Sequence, residues 1–139
     1  MRSLMIGFAG DHFDSLDVLS LGNACRRPEL PSPFYIATGT HWAFPVLKRS
    51  TCVPEQIEEI VRHWNGLPAG EQARCHTPGF ALELFVKGKS VFVAALCWRC
   101  NNISFGGSMA SLSHREFEAR SIPGSRLLQL CRRAITNAD

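Results

Sequence analysis

The stretch that decides the fold is Phe80-Ala81-Leu82-Glu83-Leu84-Phe85-Val86-Lys87-Gly88-Lys89-Ser90-Val91-Phe92-Val93-Ala94-Ala95-Leu96-Cys97. Two runs rich in aliphatic and aromatic residues flank Gly88-Lys89, and each alternates with the period of two that a strand imposes. A two-residue turn at Gly88-Lys89 sets Lys87 opposite Ser90. Val86 then faces Val91, Leu84 faces Val93, Leu82 faces Ala95 and Phe80 faces Cys97. This register predicts that Leu82, Leu84, Val86, Val91, Val93 and Ala95 are buried together. Ile57, Val61, Leu127 or Cys131 would pack over them.

Outward from the hairpin, residues 14–21 alternate Leu16 and Val18 against Asp17, Leu19 and Leu21, and read as a short strand. Residues 22–33 carry Pro28, Pro31 and Pro33 beside Gly22 and Asn23, a composition that keeps them out of a sheet interior. Residues 34–38 read as a strand ended by Gly39. Residues 42–47 read as another, which Pro45 confines to a sheet edge because it has no amide proton for the ladder. A helix over 54–65 is predicted by Val53, Ile57, Ile60, Val61 and Trp64 on one face. Pro54 suits its first turn, Thr51 or Cys52 its cap, and Asn65-Gly66 its stop. Residues 102–105 and 116–120 suggest two further strands around an irregular segment at 106–115. Residues 123–135 form a closing helix with Leu127, Leu128, Cys131 and Ile135 buried and Ser121 at the cap. The expectation is a single α+β domain over 1–139: an antiparallel sheet of about four to six strands carrying both helices on one face.

The chain has 139 residues, 45% apolar and 19% charged, enough to bury one core without disulfide or metal staples. A formal net charge of +3 is too weak a balance to imply nucleic acid or a membrane as partner. No apolar run approaches the roughly 20 residues of a membrane helix. The opening residues imitate an export signal only weakly, because Asp11, Asp14 and Asp17 follow at once. A cytoplasmic, reducing compartment with free thiols is the expectation.

Six cysteines occur, and three of them collect around the hairpin. Its register brings Cys75-His76 beside Cys97-Trp98-Arg99-Cys100. Cys75, His76, Cys97 and Cys100 are the donor types of a tetrahedral zinc site, which makes them the candidate metal ligands and zinc the candidate cofactor. Strand geometry opposes this, since neighbours such as Cys75 and His76 point to opposite faces, and Cys97 and Cys100 differ in parity. Three readings stand. The thiols are packing residues, with Cys97 against Phe80; or they bind zinc; or a disulfide joins Cys97 to Cys100, or Cys75 to either. No helix follows Cys100 to activate a thiol as in a thioredoxin-type dithiol. His12, His41, His63 and His114 read as loop or surface residues. No catalytic residue is assigned.

Cys75-His76-Thr77-Pro78-Gly79-Phe80-Ala81-Leu82, followed by Cys97-Trp98-Arg99-Cys100-Asn101-Asn102-Ile103, resembles a group of small uncharacterised bacterial proteins. These share a C-H-x-P-x-aromatic-G-L start, a hairpin, and an aromatic-containing C-x-x-C-N-N end. Looser similarity reaches residues 17–21, Phe44-Pro45-Val46-Leu47 and both helices. Ala81 departs from the glycine of that pattern. The resemblance implies a compact α+β bacterial protein and carries no activity or substrate. Two function classes stand. One is a non-catalytic protein-binding protein, of immunity or adaptor type, acting on a protein partner by surface contact. Phe34, Tyr35, Trp42 and Trp64 are aromatics able to anchor such an interface, although aromatics more often belong to cores. The other is a metal- or thiol-dependent enzyme, or a zinc-stabilised module, centred on Cys75, His76, Cys97 and Cys100. Without paired carboxylates, a nucleophile elbow or a phosphate loop, the first is preferred.

Overall fold

The computed structural model describes residues 5–30, 32–39, 42–71 and 75–138. Its elements follow in the order β1 (Ser15–Leu21), β2 (Cys25–Arg26), β3 (Tyr35–Ala37), β4 (Trp42–Thr51), α1 (Pro54–Asn65), β5 (Phe80–Val86), β6 (Lys89–Cys97), β7 (Asn102–Gly106), β8 (His114–Glu116) and α2 (Ile122–Thr136). The strands form one antiparallel sheet of eight, ordered β2-β4-β1-β5-β6-β7-β8 with β3 also on β4. The α+β class and the two helices match expectation; the sheet has more strands than predicted.

The central hairpin forms, but its register differs from the predicted one by a residue. Lys87 and Gly88, with φ of 51° and 78°, make the turn in place of Gly88-Lys89. The Lys87 amide donates to Asp14 Oδ2, which helps hold that turn. Leu84 therefore faces Phe92, Leu82 faces Ala94 and Phe80 faces Leu96, with an irregularity between Leu84 and Phe85. One residue of slip moves a whole strand face. Phe92, Ala94 and Leu96 lie with Leu82 and Leu84 under the helices, while Val93 and Ala95 join Ala81 on the other face. Val86 and Val91 are only partly buried at the rim of the first cluster. The alternation misled because both faces of the sheet are covered, so both sets of positions in β6 are apolar.

Two further corrections share one cause, which is how the chain is paired around β4. Cys25 and Arg26 are not all loop: they pair with Ala43 and Trp42 in the register of β1, so β1 and β2 are one strand interrupted at residues 22–24. β3 pairs along the opposite side of β4, matching Ala37 to Ala43, so the first half of β4 is interior and not an edge. Pro45 is tolerated there because the backbone opposing it on the β1 side is Gly22, at the interruption, whose amide donates to the Pro45 carbonyl. The last strand starts at His114 and ends at Glu116, since Phe117 turns down into the core beneath the helices. Pro31 and His41 lie outside the described residues.

Both helices lie on one face. Ile57, Ile60 and Trp64 of α1 meet Leu127, Cys131 and Ala134 of α2 over Leu16, Val18, Leu82, Leu84 and Phe92. The N-cap of α1 is Val53, not Thr51 or Cys52, with the Val53 amide held by Gln56 Oε1, and its C-cap is Gly66. Ser121 caps α2 as predicted, its hydroxyl accepting from the Gly124 amide. The sheet curls away from the helices until the end of β3 meets β7. Gly106 sits so close to the Ala37 carbonyl that any side chain there would collide. Ser104 Oγ lies 2.7 Å from Thr38 Oγ1 across the same gap. The inner face of this half-barrel holds a second, smaller cluster of Leu19, Leu21, Ile36, Phe44, Ala81, Val93 and Ala95.

Candidate functional site

The segment before β5 folds back across the inner face and is pinned by a Cys75–Cys100 disulfide with a Cα separation of 5.9 Å. Cys100 lies in the turn between β6 and β7, where Asn101 takes a φ of 56°, and that turn brings it over Cys75. Cys97 ends β6 as a buried free thiol; the Cys100 amide donates to its sulfur at 3.2 Å. Thr77 Oγ1 stands 3.7 Å from the Cys97 sulfur and 4.0 Å from that of Cys100. Phe80 packs edge-on against Trp98, not against Cys97 as the predicted register had it. Among the expected readings, free thiols at Cys75 and Cys100 give way to a disulfide. Among the described residues, no group of three or more histidine, cysteine, aspartate or glutamate side chains is arranged to hold a metal ion.

His76 points away from the sulfurs. Its Nδ1 lies 2.5 Å from Asn102 Oδ1 and its Nε2 lies 2.7 Å from Ser104 Oγ, and its ring meets Phe44 edge-on. Asn102 Nδ2 donates to the Cys75 carbonyl, which ties the amide to the disulfide-bearing segment. Burial lowers the His76 pKa below its ordinary value, with the bond to Asn102 opposing the shift. A cavity of about 450 Å³ opens beside this group, walled by Trp42, Phe44 and Ala24.

The other end of the inner face is charged. Asp17 and Glu83, both buried, face each other across β1 and β5. Arg49 Nη1 donates to Asp17 Oδ2 at 2.7 Å and to Glu83 Oε1 at 2.5 Å, while Ser90 donates to Glu83 Oε2. Burial works against the charge of Arg49, but its bonds to the two carboxylates outweigh this and hold the guanidinium above its usual value. A cavity of about 810 Å³ opens over this triad, with Phe85, Tyr35 and Arg27 in its walls.

The sequence reading found His76 and the three cysteines but missed Asn102, Ser104 and Thr38, which only the curl brings together. It also missed the Arg49 triad. There a signal existed: Asp17 and Glu83 interrupt otherwise apolar strand positions, and two inward acids require a cation. Among the other histidines, His12 bonds to Asp14 Oδ1 at 2.7 Å and His114 lies 3.6 Å from Glu116, both in exposed positions. No protein-family model, no curated protein and no solved structure matches the chain.

Proposed function

We propose that this chain is a protein-binding protein of the immunity or adaptor type, acting by surface contact through the β2–β4 end of the sheet. The observation that supports this is exposure. Of the four aromatics considered as anchors, Trp64 is core, whereas Phe34 is 71% and Trp42 59% exposed and Tyr35 is partly so. Leu30 and Leu47 are exposed in the same part of the chain. Isolated exposed leucines need no explanation, but large aromatics left in water within one short region are the side chains that dominate interfaces. The contact would be made by the β3–β4 pair, in which the Val46 amide donates to the Phe34 carbonyl and sets Leu47 next to that strand.

Free thiols were the expectation that went with a cytoplasmic compartment, and a Cys75–Cys100 bond counts against both, since disulfides persist mainly in oxidising compartments. Among the described residues, no helix is long and apolar enough to cross a membrane. The test is affinity capture from the protein's own cells by the natural chain and by a Phe34→Ser, Leu47→Ser double variant. A stoichiometric partner held by the first and lost by the second, with an unchanged melting temperature, is the expected outcome. Equal capture by both would remove this surface from the reading.

A further inference from the structure

We propose that Ser104, His76 and Asn102 form a nucleophile, base and orienting group that accepts an uncharged acyl group on Ser104 and passes it to water. This goes beyond the contact-surface reading and rests on other residues, Trp42 alone standing in both. Asn102 Nδ2 donates to the Cys75 carbonyl, so Oδ1 is the atom turned towards His76. An amide oxygen only accepts, which places the imidazole proton on Nδ1. In the neutral ring Nε2 then keeps its lone pair, 2.7 Å from Ser104 Oγ. A hydroxyl held by a base that is itself oriented by a third group is the arrangement that activates a serine. On the other side Ser104 Oγ donates to Thr38 Oγ1 at 2.7 Å, so the passage of its proton to Nε2 requires that pair to reverse, with the Thr38 hydroxyl donating to Ser104 Oγ.

The 450 Å³ cavity decides the substrate class. Its walls of Trp42, Phe44 and Ala24 are apolar, and His76 is the one ionisable side chain in its described lining. An ester with an apolar acyl chain suits it better than a charged substrate. Ser104 Oγ bonds to the carbonyl carbon as its proton passes to His76 Nε2. The bond to the leaving oxygen breaks, and the alcohol departs with that proton. Water then gives a proton to Nε2 and bonds to the acyl carbon, releasing the carboxylic acid and restoring Ser104.

The experiment treats the whole, disulfide-intact chain with a fluorophosphonate and maps the adduct by peptide mass spectrometry, with p-nitrophenyl butyrate turnover in parallel. Ser104 is expected to react about 100-fold or more faster than the exposed Ser111 of the same molecules, with measurable ester turnover. His76→Gln should slow labelling of Ser104 by about 10²–10⁴-fold at an unchanged melting temperature. Asn102 acts through His76, so Asn102→Leu should slow labelling whereas Asn102→Asp, still an acceptor for Nδ1–H, should retain it. Should His76→Gln fail to fold, the ratio of Ser104 to Ser111 in the natural chain decides alone. Equal labelling of the two serines, or fast labelling retained in folded His76→Gln, overturns the assignment. Phe34 and Leu47 lie outside this cavity, so partner capture and serine labelling succeed or fail separately.

Discussion

The two faces of the sheet are built on opposite principles. The helix-covered face is continuous and apolar: Trp64, Phe92, Phe117, Leu82 and Leu84 are fully buried in one cluster. The inner face has a small apolar strip between two polar groups, the Arg49 triad at one end and the His76 chain at the other. Both are hydrogen-bonded, and among the described residues no buried side-chain nitrogen or oxygen lacks a partner. The helix face supplies stability by area removed from water; the inner face places polar side chains at the two cavities.

The largest effect should come from the helix face. Trp64→Ala removes a fully buried indole and its bond to the Ile6 carbonyl. It should cost about 3–5 kcal/mol in denaturant unfolding. A loss below about 1 kcal/mol would mean that the apolar face does not carry the fold. Next comes the disulfide, which anchors the segment crossing the inner face. Breaking it by Cys75→Ser, Cys100→Ser in tandem frees a loop with a sequence separation of 25. The chain-entropy estimate for a loop of that size is about 3–4 kcal/mol, read as a lower denaturation midpoint.

Arg49→Met should follow. Two buried carboxylates would lose their counter-charge, and a fully buried pair broken in this way costs about 3–5 kcal/mol. Arg49 keeps a third of its side chain in solvent. The expected loss is therefore smaller, about 1–3 kcal/mol, read as a lower denaturation midpoint. Finally, the His76 pKa is lowered on folding, so the unfolded chain takes up this proton first. Its contribution to stability is fully present above the ordinary histidine value and is lost as the pH falls through that value towards the folded one. His76→Gln should flatten this part of the pH–stability curve, leaving the slope from His63, whose pKa burial also lowers. An unchanged slope would put the titration elsewhere.

Legibility in the sequence followed the same division. Both helices were readable within a residue or two, because a 3.6-residue apolar stripe such as Ile57, Ile60 and Trp64 has one solution. The hairpin was readable as a pair of strands but not in register. Phe92, Ala94 and Leu96 are as apolar as Val93 and Ala95, and local alternation cannot say which set faces the helices. The strand status of residues 25–26 and 48–51 depended on partners far along the chain. The cysteine neighbourhood was legible as proximity, because the hairpin had to bring residues 75 and 97–100 together. Its chemistry was not, because the position of His76 depends on Asn102, Ser104 and Thr38, gathered by the curl.

The Cys75–Cys100 bond has a topological consequence. It closes a covalent ring that contains the entire β5–β6 hairpin, and the most exposed part of that ring is the turn at Lys87, Gly88 and Lys89. A trypsin nick after Lys87 or Lys89 therefore opens the ring without dividing the molecule. On a non-reducing gel the nicked protein still migrates as one species, and only a reductant releases two fragments. Cleavage in the hairpin is in this sense a scar and not a severance, because the two strands stay tethered next to the partner each must find again.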